Sequence, residues 1–305
     1  MRRSEINRLQ REALGLFADY RFSLPLFARW NEAAWRAHPA AARYCAKHQM
    51  GWDLTDFGSG RFEERGLVIF CVRNGLQGVP DEKPYAEKLL VVRENQETPC
   101  HSHKVKMEDI IVRGGGNLMI ELHNMGETGG TADTAVTLMV DGVEHRLKAG
   151  DPMRLTPGQG VTITRNLWHR FYGELGEGTV FVGEVSQVND DLTDNYFLET
   201  VGRFATIEED EPKLFPHWNE LASKGKRGFP LGVLHFACNP LICSERYWRS
   251  FTPKALISLQ RHRTLNQRVV GSIPTAPTNQ IKDLWMNFLL LGGGKCALGN
   301  TTGNG

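Results

Sequence analysis

The 305-residue chain lacks any run of about 18 apolar residues, so no segment reads as a membrane-spanning helix. Its opening, MRRSEINRLQREALGLF, carries basic residues but not the apolar stretch of a secretory signal. The cysteines (Cys45, Cys71, Cys100, Cys238, Cys243 and Cys296) form no CxxC pair, which argues against a zinc ribbon or a tight disulfide framework. Reduced thiols and a cytoplasmic location are expected. No low-complexity segment or fixed-period repeat appears. Nor is there a phosphate loop. Residues 113–116, RGGG, precede neither Gly-Lys-Ser/Thr nor a helix, and read as a tight β-turn.

Net charge is also small, +1, but it is unevenly placed. From Leu221 onward there are 11 Lys and Arg against 2 Asp and Glu, leaving 25 basic and 33 acidic residues in the first 220. The first part is mildly acidic and strongly patterned. The second is basic, weakly patterned, and ends in LGGGKCALGNTTGNG. A boundary is therefore expected at about residue 220, with a helical part over 1–50, a barrel over about 51–200, and a tail over 221–305. The tail has neither zinc-ligand spacing nor a basic helix, so it gives no support for nucleic-acid binding. It reads as a disordered extension or a read-through or frameshift product.

Within the first part, Ile6, Leu9, Leu14, Phe17 and Ala18 recur at helical spacing. A second helical region is expected from Asn31 through EAAWRAHPAAARYCAKH, with Pro39 as a break or a new first turn. From Gly51 the period changes. GLVIFCVRNG, KLLVVREN, MEDIIVRGG, NLMIELHN, AVTLMVDG, VEHRLKAG, GVTITRN, WHRFYGE and TVFVGEVS are short, rich in β-branched and aromatic residues, and mostly punctuated by Gly, Asn, Asp or Pro. Such strands imply an antiparallel sandwich or barrel. Asp141-Gly142 predicts a two-residue hairpin turn.

The chemistry concentrates in residues 101–116, HSHKVKMEDIIVRGGG. On a strand, His101 and His103 point to one face, and imidazoles about 6–7 Å apart along it can converge on one ion. Glu108 has the wrong parity for the same strand, so Lys104 to Met107 must turn or bulge to bring it back. Two imidazoles and a carboxylate suit a borderline or hard divalent ion with open positions. A third imidazole is expected from His123, His145 or His169. His169 is favoured, because the Pro157-Gly158 turn and a strand return the chain just before it.

HSHKVKMEDIIVRGGG followed by RLTPGQGVTITRNLWH resembles the paired metal motifs of the cupin superfamily. Its first motif opens on Gly, where this chain has Asn95, and its second has His sooner after Pro-Gly than His169. Seven blocks in order are similar to D-lyxose isomerases: LPLFARW, GWDLTDFG, KPYAEKLLVV, HSHKVKMEDIIVRGGGNL, RLTPGQGVTI, GEVSQVNDDLTDNYFLE and GRFATIEEDE. The likeness runs from about residue 3 to residue 220. It implies an all-β, cupin-type barrel (double-stranded β-helix or jelly roll) with N-terminal helices. It also implies a divalent metal, most often Mn²⁺, on His101, His103, Glu108 and His169. The implied activity interconverts D-lyxose with D-xylulose and D-mannose with D-fructose, by proton transfer through a metal-stabilised enediol. The implied assembly is a homodimer.

Such a reaction moves one proton between C1 and C2 and another between their oxygens. Lys106, lying between the ligands, is the expected cationic or acid partner. Glu184, Asp190, Asp191, Asp194 and Glu199 crowd into one run, the natural source of a base, with Glu199 preferred over Glu184. Trp52, Asp53, Lys83, Tyr85, Glu87 and Lys88 are candidates to shape the sugar pocket or to pack. Three rivals share the fold: an iron dioxygenase, a non-catalytic sugar-binding cupin, and a phosphosugar isomerase. The last would need Arg or Lys converging on a phosphate, and Arg113, Arg165 and Arg170 are the nearest in sequence.

Overall fold

The computed structural model describes residues 1–221. The expectations for the rest of the tail, residues 222–305, lie outside the described residues. Three helices come first: α1 (Arg3–Asp19), α2 (Glu32–Ala37) and α3 (Pro39–Lys47). α1 buries Ile6, Leu9, Ala13 and Phe17 along one stripe. The Asn31 side chain accepts the Ala34 N–H at 3.0 Å and caps α2. Pro39 opens α3 at a position where a missing N–H leaves nothing unpaired.

The strands are β1 (Gly51–Thr55), β2 (Leu67–Arg73), β3 (Tyr85–Val92), β4 (His101–Ser102), β5 (Glu108–Gly115), β6 (Leu118–Met125), β7 (Thr131–Ala132), β8 (Val136–Val140), β9 (Val143–Leu147), β10 (Met153–Leu155), β11 (Gly160–Ile163), β12 (Trp168–Gly173), β13 (Val180–Gln187) and β14 (Tyr196–Phe197). The nine expected strand segments each contain one. β4, β7, β10 and β14 are too short to show a period. The hairpin forms as expected: Val140 pairs with Val143, and Asp141 and Gly142 both take positive φ, as a type I′ turn requires.

One sheet runs β1-β2-β3-β13-β5-β11-β8-β9, the other β10-β6-β12-β4-β14 with β7 on β6. All the pairings within these sheets are antiparallel. From β4 onward the chain passes back and forth between the sheets, which is the expected cupin-type barrel.

Period two explains why β2 and β3 are apolar almost throughout. Val68, Phe70, Val72, Leu89 and Val91 face outward against α1 residues Ile6, Leu9 and Phe17. Leu67, Ile69, Leu90 and Val92 face the barrel interior with Ile110, Val112, Val180 and Val182. The RGGG stretch is the end of β5 rather than a free turn. A Cβ at Gly114 would lie 2.1 Å from the Tyr20 ring, so that glycine leaves room for the residue after α1 against the sheet.

Candidate active site

Three neighbouring strands of the larger sheet carry parallel inward ladders. On β3 the ladder is Lys88, Leu90, Val92; on β13, Glu184, Val182, Val180; on β5, Glu108, Ile110, Val112. Glu184 stands opposite Lys88 on one side and Ile110 on the other. Each ladder is therefore apolar at one end of the barrel and charged at the other. The smaller sheet answers with imidazoles, since His169 of β12 pairs directly with His101 of β4. His103 follows β4 and turns inward, its ring centroid 5.1 Å from that of His101.

His101, His103, Glu108 and His169 thus converge, with one potential ligand atom from each lying within 4.8 Å of all the others. The imidazoles are oriented from behind. Nδ1 of His101 donates to the Pro99 carbonyl at 2.9 Å, Nδ1 of His103 to that of Asp194 at 2.6 Å, and Nδ1 of His169 to that of Leu167 at 3.1 Å. A carbonyl only accepts, so each Nδ1 carries a proton, and in the neutral ring that leaves Nε2 with its lone pair. Nε2 of His103 and of His169 are buried without a hydrogen-bond partner. Burial, then the adjacent imidazoles, hold His101 well below the usual imidazole range. Burial, then Lys106, lowers His103 as well. Rings oriented through Nδ1, with Nε2 turned toward one carboxylate, are what a divalent cation requires. The residues fit the implied metal.

Glu108 faces two ways. Its Oε1 lies 3.1 Å from His169 Nε2, and its Oε2 accepts from Lys106 Nζ at 2.6 Å. Burial opposes its charge, but the Lys106 ammonium outweighs that and keeps its carboxyl well below the usual range. Lys106 Nζ also donates to Glu184 Oε1 at 2.8 Å and to Asn189 Oδ1 at 3.3 Å. Burial likewise opposes the Lys106 charge, and Glu108 and Glu184 reverse it, so the ammonium is held above its ordinary pKa.

Lys88 sits 3.2 Å from the same Glu184 oxygen and donates to Asn189 Oδ1 at 2.7 Å. Beyond it, Asp191 receives Arg203 at 2.8 Å, and Arg203 also pairs with Asp53 at 2.7 Å. The result is a largely buried chain of alternating charge from the His₃Glu cluster to β1. A cavity opens onto it, with Phe57, Phe171 and Phe197 among its walls.

The structure thus brings Lys106 and Glu184 together beside the four expected ligands. It places Glu199 apart from them. β14 ends at Phe197, whose ring packs on His101, and Glu199 is half-exposed and paired with Arg65 at 3.0 Å. His123 and His145 lie outside the cluster. Among the pocket candidates, Lys88 lines the cavity and Asp53 supports Arg203. Trp52 packs in the outer core, Lys83 donates to the Tyr44 hydroxyl, Tyr85 is exposed and Glu87 pairs with Arg73. Asp190 makes an Asx turn with the Leu192 N–H. Sequence reasoning missed Asn189 and Arg203. Nothing local marks Arg203, whose pairing partners lie 12 and 150 residues away.

A profile of D-lyxose isomerases matches residues 1–220. The chain belongs to the D-lyxose isomerase family. The D-lyxose/D-mannose isomerase of Serratia proteamaculans is 45% identical over 222 residues, covering 72% of this chain and 95% of that protein. The protein of the same name from Escherichia coli O157:H7 is 43% identical over 222 residues, covering 72% and 98%. Among solved structures, L-ribose isomerase of Cellulomonas parahominis with L-ribose aligns with a TM-score of 0.48 at 18% identity, over 68% of this chain and 98% of that one. The Acinetobacter sp. DL28 L-ribose isomerase complex gives 0.47 at 16%, over the same shares. This member of the family is a sugar isomerase, an intramolecular oxidoreductase, with a His₃Glu cluster able to hold a metal. Among its described residues no helix is long and apolar enough to cross a membrane.

Proposed function

We propose that this isomerase interconverts D-lyxose with D-xylulose and D-mannose with D-fructose, using a divalent ion, Mn²⁺ by preference, on His101, His103, Glu108 and His169. The observation that carries the reading is the Lys106–Glu184 pair set directly behind Glu108. An iron oxygenase has no use for a paired lysine and spare carboxylate there, and a mere sugar binder has no use for the four ligands.

The bound ion would supply Lewis acidity toward a carbonyl oxygen and its neighbouring hydroxyl. Glu184 is the base. It removes the proton from C2 of the aldose and returns it to C1, giving the ketose through an enediol. One of its oxygens is fixed by two lysines, leaving the other to face substrate. Lys106 stays charged and stabilises the oxygen on which negative charge develops. Its Asn189 contact, at 3.3 Å the longest of its three, is the one a sugar oxygen can displace. The second proton passes from O2 to O1, so the exchange balances.

The substrate class is an unphosphorylated sugar. Lys88, Lys106 and Arg203 are the cations lining the cavity, and each is paired with a buried carboxylate. Arg165 and Arg170 are committed to Gln187 and to Glu97 and Glu121, and the exposed Arg113 does not line the cavity. No cation remains there for a phosphate among the described residues. The reading extends to a homodimeric, cytoplasmic enzyme; a monomeric mass by light scattering would overturn the dimer.

The deciding experiment strips the full chain of metal and adds back Mn²⁺ with D-lyxose, D-mannose, D-xylose or D-mannose 6-phosphate. Mn²⁺-dependent ketose formation from the first two, lost in His103→Ala, supports the reading. Folded, Mn²⁺-loaded protein with no turnover would sink it, and turnover confined to the phosphate ester would move the substrate class.

A further inference from the structure

Glu108 has the wrong strand parity to join His101 and His103, and only a tight turn over Lys104–Met107 returns it. That turn is built around one side chain. The buried Asp194 carboxylate accepts the backbone N–H of Lys104 at 2.9 Å, of Val105 at 3.1 and 3.2 Å, and of Lys106 at 2.9 Å. Its main-chain carbonyl also accepts His103 Nδ1 at 2.6 Å. Asp194 forms no ion pair among the described residues, so three successive amides carry the compensation of its charge, as an anion nest does.

We infer that Asp194 is the positioning residue for the metal-ligand turn. Its charge fixes the backbone that separates His103 from Glu108. It also sets the alternation that sends Lys104 outward, over the Tyr196 ring, and Lys106 inward onto Glu108 and Glu184. The turn is thereby formed before metal arrives, and the ligands need no reorganisation on binding. Asp194 touches neither substrate nor ion, and acts through His103, Glu108 and Lys106. This inference rests on the reading that the four-ligand cluster holds a metal.

The test uses the full chain and Mn²⁺ alone, with free Mn²⁺ followed by its electron paramagnetic resonance signal. In Asp194→Asn the amide keeps one acceptor oxygen but turns an N–H₂ toward the amides it should receive. Its Mn²⁺ affinity is expected to fall about 10- to 100-fold, the range for partners that orient metal ligands. Asp194→Glu should recover part of that loss. Wild-type protein that binds no Mn²⁺ would remove the metal reading itself. Wild type and Asp194→Asn binding equally would overturn this inference alone. Should the variants fail to fold, hydrogen exchange of metal-free wild type decides. The amides of residues 104–106 should stay protected without metal; fast exchange that slows only on adding Mn²⁺ would mean that the ion, not Asp194, shapes the turn.

Discussion

The two ends of the barrel interior are made by the same three strands and differ in almost everything else. At the floor, Val92, Val180 and Val182 of β3 and β13 meet Ile110 and Val112 of β5, all essentially buried. At the mouth, the next inward positions are Lys88, Glu184 and Glu108, also buried. A buried charge survives only when paired and hydrogen-bonded. Here Lys106 and Lys88 share one Glu184 oxygen, Asn189 receives both lysines, and Arg203 closes the chain on Asp191 and Asp53. The floor supplies non-directional cohesion, whereas the mouth orders charges that water would otherwise screen. Stability and chemistry are therefore expected to separate along each strand.

The largest break in that comparison should come from the mouth. His169→Ala removes an imidazole whose ring is fully buried and whose Nε2 has no other partner. Losing several kcal/mol of Lewis-acid stabilisation corresponds to a fall in kcat/KM of about 10³- to 10⁴-fold, with Mn²⁺ affinity measured alongside. Glu184→Gln should come next. Its kcat is expected to fall about 10³-fold while Mn²⁺ binding persists, a general-base loss without a metal loss. Glu199→Gln, at the surface, should stay within about twofold of wild type. If Glu199→Gln proves the damaging substitution, Glu184 is not the base.

Glu184 was within reach of the sequence for a reason the acidic run concealed. In TVFVGEVS the period of two places Val180, Val182 and Glu184 on one face, so a carboxylate continues an apolar ladder. Lys88 does the same after Val92 and Leu90. Glu199 follows a strand of only two residues, where no parity can be read. The His₃Glu cluster was legible because an HxH pair, a nearby Glu and a returning strand are local patterns. The supports were not. Asp194 and Arg203 owe their roles to partners about 90 and 150 residues away, and a lone acid or base in a loop looks the same whether it clamps a turn or faces water. The acids of NDDLTD proved to be the frame of the site: Asp190 shapes its own loop, Asp191 holds Arg203, and Asp194 holds the ligand turn.

Val182→Ala tests the other half of the comparison. Val182 lies on the floor side of Glu184, two residues along the same face, is 0% exposed and does not line the cavity. Truncating it should cost about 1.5–3 kcal/mol of unfolding free energy, read by urea denaturation. Metal-loaded kcat/KM should stay within about threefold of wild type. A large loss of kcat with little loss of stability would mean that floor and mouth are one mechanical unit, and the proposed separation would fail.

The smallest effect sharpens what pairing contributes. His217 is buried in the outer layer, and its Nε2 has no hydrogen-bond partner. Burial lowers its pKa below the ordinary 6.5; Asp53 and Glu220 favour the cation, Arg3 and Lys213 oppose it, and burial prevails. The unfolded chain therefore takes up a proton near pH 6.5 that the native state refuses. Below that pH the unfolded state binds more protons, so stability falls as pH falls. The slope for one such group cannot exceed about 1.4 kcal/mol per pH unit. Between pH 7.5 and 5.5, wild type should lose about 1 kcal/mol more than His217→Gln, which cannot take up the proton. Urea unfolding of both proteins at the two pH values measures the difference. Equal losses would mean that His217 finds a partner for its charge in the native state, as every lysine at the barrel mouth already does.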